Sequence, residues 1–206
     1  MKVIGLTGRA GTGKTSVARY LKTLGAEVIE ADAVAKELTE PGKPLLAEIA
    51  AAFGPDFLSA DGSLDRAKLR RLIFSDQAAR KRLNEITHPE IIAVIKKWLD
   101  ELHKRAHPPR VAVIEAPLLI ETGLDHLVDE IWVVIAEREA VIRRIAARDR
   151  IPPEQAQAVI TAQMAQEEKV RRAHRVIDNT GGFSHTREQV DYFYSRLLEE
   201  QGEAEK

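Results

Sequence analysis

Short apolar runs recur along the chain: Val3-Ile4-Gly5-Leu6, Ala26-Glu27-Val28-Ile29-Glu30, Val111-Ala112-Val113-Ile114, Ile131-Trp132-Val133-Val134-Ile135 and Arg175-Val176-Ile177-Asp178. Each is strand-length and most are rich in β-branched residues without polar alternation, the pattern of strands buried on both faces. Helix-period text lies between them. Val17, Ala18 and Leu21 repeat at helical spacing after the first run, and Gly25 reads as the stop of that helix. Strands alternating with helices predict an α/β fold, a five-stranded parallel sheet with helices on both faces.

The stretch from Ala33 to about His107 departs from that alternation and is nearly all helical. Leu69, Leu72, Ile73 and Phe74 suit one amphipathic helix, and Ile91, Ile92, Ile95, Trp98, Leu99 and Leu102 another. Pro41-Gly42, Gly54-Pro55, Asp61-Gly62 and His88-Pro89 read as breaks, and Pro108-Pro109 closes the block. Phe53, Phe57, Phe74 and Trp98 read as core. The expected organisation is a core of residues 1–32 and 109–206, a helical insertion at 33–108, and a helical segment at 138–172 within the core. An arginine-rich helix is predicted from Glu137 to Asp149, broken by Pro152-Pro153, and a last amphipathic helix carries Val190, Phe193, Leu197 and Leu198 ahead of a polar, frayed tail at 201–206.

Between the first strand and the first helix lies Gly8-Arg9-Ala10-Gly11-Thr12-Gly13-Lys14-Thr15, a full match to G-x-x-x-x-G-K-[ST]. Glycines let successive N–H groups turn inward around an anion, and the helix that follows adds the positive end of its dipole. Gly8, Gly11, Thr12, Gly13, Lys14, Thr15 and Ser16 are therefore the expected ATP-binding residues. Lys14 is placed to reach the β- and γ-phosphates, and the Thr15 hydroxyl to ligate Mg²⁺. A dinucleotide-binding loop, the nearest rival, would need a third glycine and has no use for the lysine.

With 206 residues, 44% hydrophobic and 31% charged, the chain is long enough for one α/β domain with an insertion. A formal net charge of -1 gives no sign of a nucleic-acid or membrane surface. There is no cysteine, which excludes thiolate metal sites, disulfides and cysteine nucleophiles. No run approaches a membrane span, and the sequence opens directly into a strand without a signal peptide. A cytoplasmic protein, monomeric or a small homo-oligomer, is expected.

A phosphate loop fixes what is bound and leaves the reaction open. The N-K-x-D motif of a GTPase is absent, and Asp178-Asn179-Thr180-Gly181 comes too late to be a switch. The strand of an ABC-type ATPase would end in a magnesium-binding Asp, whereas Val111–Glu115 ends in Glu. A small-molecule kinase needs an acceptor pocket, an acid near the acceptor hydroxyl, and arginines over the transferred phosphoryl group. The helical insertion supplies the pocket. Asp32, after the second strand, is the candidate acid, with a role as helix N-cap as the alternative. Arg144 and Arg148, four apart on one helical face, are the candidate arginines of a lid at 138–172, against solvated or locally paired side chains.

These residues carry a resemblance to the dephospho-CoA kinases, a family of the P-loop nucleoside and nucleotide kinases, over nearly the whole chain. It rests on Ile4-Gly5-Leu6-Thr7-Gly8 with the loop, Glu30-Ala31-Asp32, Leu64-Asp65-Arg66, Ile86-Thr87-His88-Pro89-Glu90-Ile91, Pro117-Leu118-Leu119-Ile120-Glu121, Arg144 with Arg148-Asp149, Gln163, Lys169 and Val176-Ile177-Asp178-Asn179. The chain departs from it at Arg9, where the family usually has Gly, at Thr15-Ser16 for the commoner Ser-Thr, at His174 for Asp, and at Val141 for Gln. The resemblance implies transfer of a phosphoryl group from Mg-ATP to the ribose 3′-hydroxyl of dephospho-CoA, with Lys14, Asp32 and Arg144 as catalytic residues. Asp32 would also hold magnesium through water. It implies acceptor contacts from Asp32, Arg66, His88, Pro117, Leu118 and Leu119, and donor contacts from Arg144, Arg148, Asn179 and Gly181. The plain alternatives are a surface ion pair for Arg66, a helix cap for His88, core packing for Pro117-Leu118-Leu119, and a turn at Asn179 and Gly181. A kinase of another nucleoside or nucleotide, or a non-catalytic nucleotide-binding module, is the competing reading of the whole.

Overall fold

The first strand of the chain is the central strand of the sheet. The computed structural model describes residues 1–204, without the side chains of Phe74 and Ala204. In chain order the elements are β1 (Lys2–Thr7), α1 (Lys14–Thr23), β2 (Glu27–Glu30), α2 (Ala31–Leu38), α3 (Pro44–Phe53), α4 (Arg66–Ser75), α5 (Gln77–His103), β3 (Val111–Glu115), β4 (Glu130–Ile135), α6 (Arg138–Asp149), α7 (Pro153–Thr161), α8 (Gln166–Arg171), β5 (Arg175–Asp178) and α9 (Phe183–Ala204). The strands form one parallel sheet in the order β2-β3-β1-β4-β5. The connection from β1 leaves toward β2 and the connection from β4 leaves toward β5. The chain thus diverges between the carboxyl ends of β1 and β4, where a parallel sheet opens a ligand crevice.

Alternation along each strand assigns the two faces. Ile4 and Leu6 of β1, Val111 and Val113 of β3, Trp132 and Val134 of β4 and Ile177 of β5 pack with Val17, Ala18 and Leu21 of α1 and Val190, Tyr194 and Leu197 of α9. On the opposite face a Cβ on Gly5 would meet the Leu119 side chain at 2.5 Å, so glycine there lets the 117–121 turn lie against the sheet without displacing Leu119. The amino-terminal edge is capped by side chains: Val3 N–H donates to Asp129 Oδ2 at 2.7 Å, and Ile131 N–H to His174 Nδ1 at 3.0 Å. His174 thus supplies an acceptor at that edge.

The chain divides into two compact units, one of Met1–Ile29 with the chain from Glu101 on, the other Glu30–Asp100. The second unit has its own core of Leu45, Leu46 and Ile49 from α3 with Leu64 and Leu69, lined by Leu38, Phe53, Phe57, Ile73, Leu83 and Ile86. Asp65 caps α4 by accepting from Lys68 N at 2.8 Å.

Three local expectations are corrected. His88-Pro89 does not break the helix, because α5 runs unbroken from Gln77 to His103 with Pro89 inside it. Proline removes one N–H from the ladder, and apolar packing on either side holds the helix together across it, Leu83 and Ile86 before the proline and the fully buried Ile95 after it. Asp32 is not an N-cap; α2 begins at Ala31, and Asp32 falls in its first turn. The carboxyl-terminal tail is helical as far as Ala204, while Glu205 and Lys206 lie outside the described residues.

Candidate active site

The phosphate loop turns on glycines that no other residue replaces without strain. Gly8 has φ 147° and a Cβ there would run into the Val134 carbonyl of β4, which fixes the loop at the β1–β4 divergence. Gly13, at φ 97°, stands immediately before α1, whose first turn contains no acidic side chain to compete for an anion. Lys14 is 6% exposed and its Nζ donates to the Arg9 carbonyl at 3.1 Å. The loop also closes on itself, with Thr12 Oγ1 donating to that same carbonyl at 2.9 Å.

Thr15, the next residue, donates its hydroxyl to Glu115 Oε1 at 2.8 Å. Glu115 ends β3, is 6% exposed, and was not singled out from sequence as a site residue. With its proton directed to a carboxylate, the Thr15 oxygen keeps a lone pair for a hard cation. Among the described residues no three His, Cys, Asp or Glu side chains gather to hold a metal. A hydroxyl oxygen is a hard donor of the kind that fits Mg²⁺ when nucleotide phosphates and water supply the other ligands.

Arg144 reaches the loop from α6: its Nη1 donates to Gly11 O at 3.4 Å and its Nη2 to Asn179 O at 3.3 Å. Arg148, one turn on, makes a two-point pair with neighbouring Asp149 at 2.8 and 2.9 Å. The Asn179 side chain is turned inward. Its Nδ2 donates to Thr12 O at 2.8 Å, and its Oδ1 accepts from Thr186 Oγ1 at 2.8 Å, so the β5–α9 turn buttresses the phosphate loop. Gly181 is exposed in that turn, and Ser16 is exposed on α1.

The segment from α7 to α8 touches the same loop. Arg9 Nη2 donates to Ile160 O at 2.6 Å, and Ala10 N–H donates to Gln163 Oε1 at 2.9 Å. Ala10 packs against Val141, Ile145, Ala156 and Ile160. Burial pulls the Arg9 pKa below its ordinary value, with Glu167 opposing the shift. Nearby, the fully buried Lys169 donates to both carboxylate oxygens of Glu121 at 2.8 Å and to Pro117 O at 3.0 Å. Thr7 Oγ1 also donates to Pro117 O, at 3.2 Å. Leu119 is buried against the sheet, whereas Leu118, 37% exposed, faces outward.

In the second unit, Asp32 is exposed in the first turn of α2. Arg66 binds Thr39 Oγ1 at 2.6 Å and Lys36 O at 3.3 Å rather than an acidic neighbour. His88 is half-buried in mid-α5, where desolvation holds its pKa below the usual imidazole value.

Glu115, Gln163 and Lys169 join the site through contacts of long sequence separation. The legible signals were a strand ending in a carboxylate for Glu115, and a place in the family pattern for the other two.

A sheet diverging at a phosphate loop, with a lysine inside it and an arginine above it, defines a P-loop phosphotransferase. A family model described as dephospho-CoA kinase matches residues 2–185. A dephospho-CoA kinase of Moorella thermoacetica is 46% identical over 197 residues, covering 96% of this chain and 92% of that protein. The chain belongs to the dephospho-CoA kinase family. A solved dephospho-CoA kinase from Campylobacter jejuni superposes with TM-score 0.69 at 26% identity, covering 97% of this chain and 98% of that one. The fold is also that of a shikimate kinase from Bacteroides thetaiotaomicron, TM-score 0.54 at 14% identity, covering 96% of this chain and 98% of that one.

Proposed function

We propose that this protein phosphorylates the ribose 3′-hydroxyl of dephospho-CoA with Mg-ATP, giving CoA and ADP. The observation that carries the reading is the family match, which runs unbroken through the phosphate loop, Asp32 and Arg144. The chemistry asks mostly for positioning and charge neutralisation, because the transition state of phosphoryl transfer is loose. Lys14 leaves the Arg9 carbonyl for the β- and γ-phosphates. The Thr15 oxygen, oriented by Glu115, and Asp32 through water would hold Mg²⁺, which would neutralise phosphate charge. Arg144 exchanges its two backbone carbonyl partners, both weak at 3.3 Å or longer, for phosphate oxygens. Asp32 takes the proton of the acceptor hydroxyl.

Gly8, Gly11, Thr12, Gly13 and Ser16 supply the backbone cradle, while Arg148, Asn179 and Gly181 border the donor. Arg66, His88, Pro117, Leu118 and Leu119 form the acceptor side. On this reading residues 33–108 are the acceptor-binding domain and 138–172 the lid. Among the described residues no helix is long and apolar enough to cross a membrane, and the reading places the enzyme in the cytoplasm with its ATP. The test is to offer ATP with dephospho-CoA, adenosine, nucleoside monophosphates and shikimate in parallel and to follow ADP. ADP is expected with dephospho-CoA alone; turnover of a nucleoside monophosphate in its place sinks the assignment.

A further inference from the structure

One peptide unit of the phosphate loop is held from both sides. The carbonyl of the Arg9–Ala10 peptide accepts Lys14 Nζ at 3.1 Å and Thr12 Oγ1 at 2.9 Å, and the N–H of that same peptide donates to Gln163 Oε1 at 2.9 Å. The peptide is trans, so its two polar groups point in opposite directions. Rotation of the plane that frees the N–H from Gln163 also swings away the carbonyl on which Lys14 rests. The amide of Gln163 is oriented without ambiguity, since an N–H can meet only its oxygen.

Gln163 is itself fixed by a frame. Its backbone N–H donates to Ile160 O at 3.3 Å, the same carbonyl that receives the Arg9 guanidinium at 2.6 Å. That carbonyl is in the last turn of α7, where carbonyls lack the i+4 partner of a helix interior and a cation is favoured. The residue after Gln163, Met164, donates its N–H to Glu121 Oε1 at 3.4 Å, and Glu121 is clamped by the fully buried Lys169. The α7–α8 connection is thus anchored at Arg9 on one side and at Glu121 on the other, with Gln163 between the two anchors. Arg9 supplies one of them.

We propose that Gln163 is a positioning residue of the phosphoryl transfer, acting through the Arg9–Ala10 peptide to set the resting place and trajectory of Lys14. The assignment rests on Lys14 being the phosphate-binding lysine, as read above. Removing the acceptor leaves the fold intact and lets the peptide plane wander, so the loss falls on kcat more than on the affinity for ATP.

The test uses the full chain. In the ligand-free parent, the Ala10 amide is expected to exchange with deuterium at least about tenfold more slowly than an open loop amide. Gln163→Leu should raise that exchange and lower kcat about tenfold or more, with KM for ATP changed less than about threefold and Tm within a few degrees of the parent. Gln163→Glu, which keeps the acceptor oxygen, should restore Ala10 protection and most of kcat. The proposal is overturned if the Ala10 amide of the parent exchanges like open loop, if it stays protected in Gln163→Leu, or if Gln163→Leu keeps kcat within about twofold. It is equally overturned if Gln163→Glu loses as much kcat as Gln163→Leu. The exchange measurement needs no substrate, so it separates failure of this inference from failure of the acceptor assignment.

Discussion

Thr15 and Glu115 stand 100 positions apart in sequence and 2.8 Å apart in the site, hydroxyl to carboxylate. The contact joins the first turn of α1 to the end of β3, and it orients an oxygen at the positive end of a helix. Glu115→Gln leaves an amide of the same size without the charge. Half-saturation by Mg²⁺ is expected to rise about tenfold or more, as for other partners of metal ligands, with kcat falling alongside. A magnesium titration of ADP formation checks it; an unchanged midpoint removes Glu115 from the metal site.

Lys14→Ala should lower turnover by on the order of 10²–10³-fold or more, the size of losing one preorganised charge at a developing anion. Tm should hardly move. Steady-state rates beside a thermal melt separate the two effects.

Asp32→Asn is expected to leave ATP affinity within about twofold and to lose on the order of 10²–10⁴-fold in kcat, the range assigned to general acid–base groups. Calorimetric titration of nucleotide alongside the coupled assay reads both. Turnover near that of the parent would take Asp32 out of the chemistry.

His88 gives a pH dependence of stability. Desolvation lowers its pKa in the folded chain from the ordinary 6.5. As pH falls through 6.5 the unfolded chain takes up the proton first, so stability drops on acidification and continues to drop until the folded-state pKa is passed. Nothing is lost above that window. Tm measured from pH 7.5 down to 5 should fall more steeply for the parent than for His88→Gln.

Lys169→Ala strands the Glu121 carboxylate and opens the turn at Pro117. A loss of about 1.5–3 kcal/mol is expected, because the fully buried ammonium makes charge-assisted hydrogen bonds to the partly exposed carboxylate and to Pro117 O. Urea unfolding of Lys169→Ala and of the Lys169→Ala/Glu121→Gln double variant decides it, the second recovering part of the loss.

The strands and the phosphate loop were readable because each is written in consecutive residues. β5, Arg175–Asp178, falls on the predicted run, and the arginine-rich helix starts within one residue of its expected position. Pro89 misled because a proline's local penalty is visible in sequence, whereas the packing of Leu83, Ile86 and Ile95 on its two sides is not. Asp32 was placed by its strand, but the start of α2 depends on where β2 stops pairing. Glu115, Gln163 and the inward turn of Asn179 are tertiary facts: each meets its partner across 100 or more positions, and no local pattern encodes such a meeting.

The support that Asn179 and Thr186 give to Thr12 makes the stiffness of the phosphate loop a property of the whole core rather than of its motif. The glycine-rich motif is continuous in sequence, but a side chain 167 positions further on helps to hold it in place. A chain cut before residue 179 keeps the complete nucleotide-binding signature and loses this brace. Opening of the β5–α9 turn is therefore expected to loosen the loop.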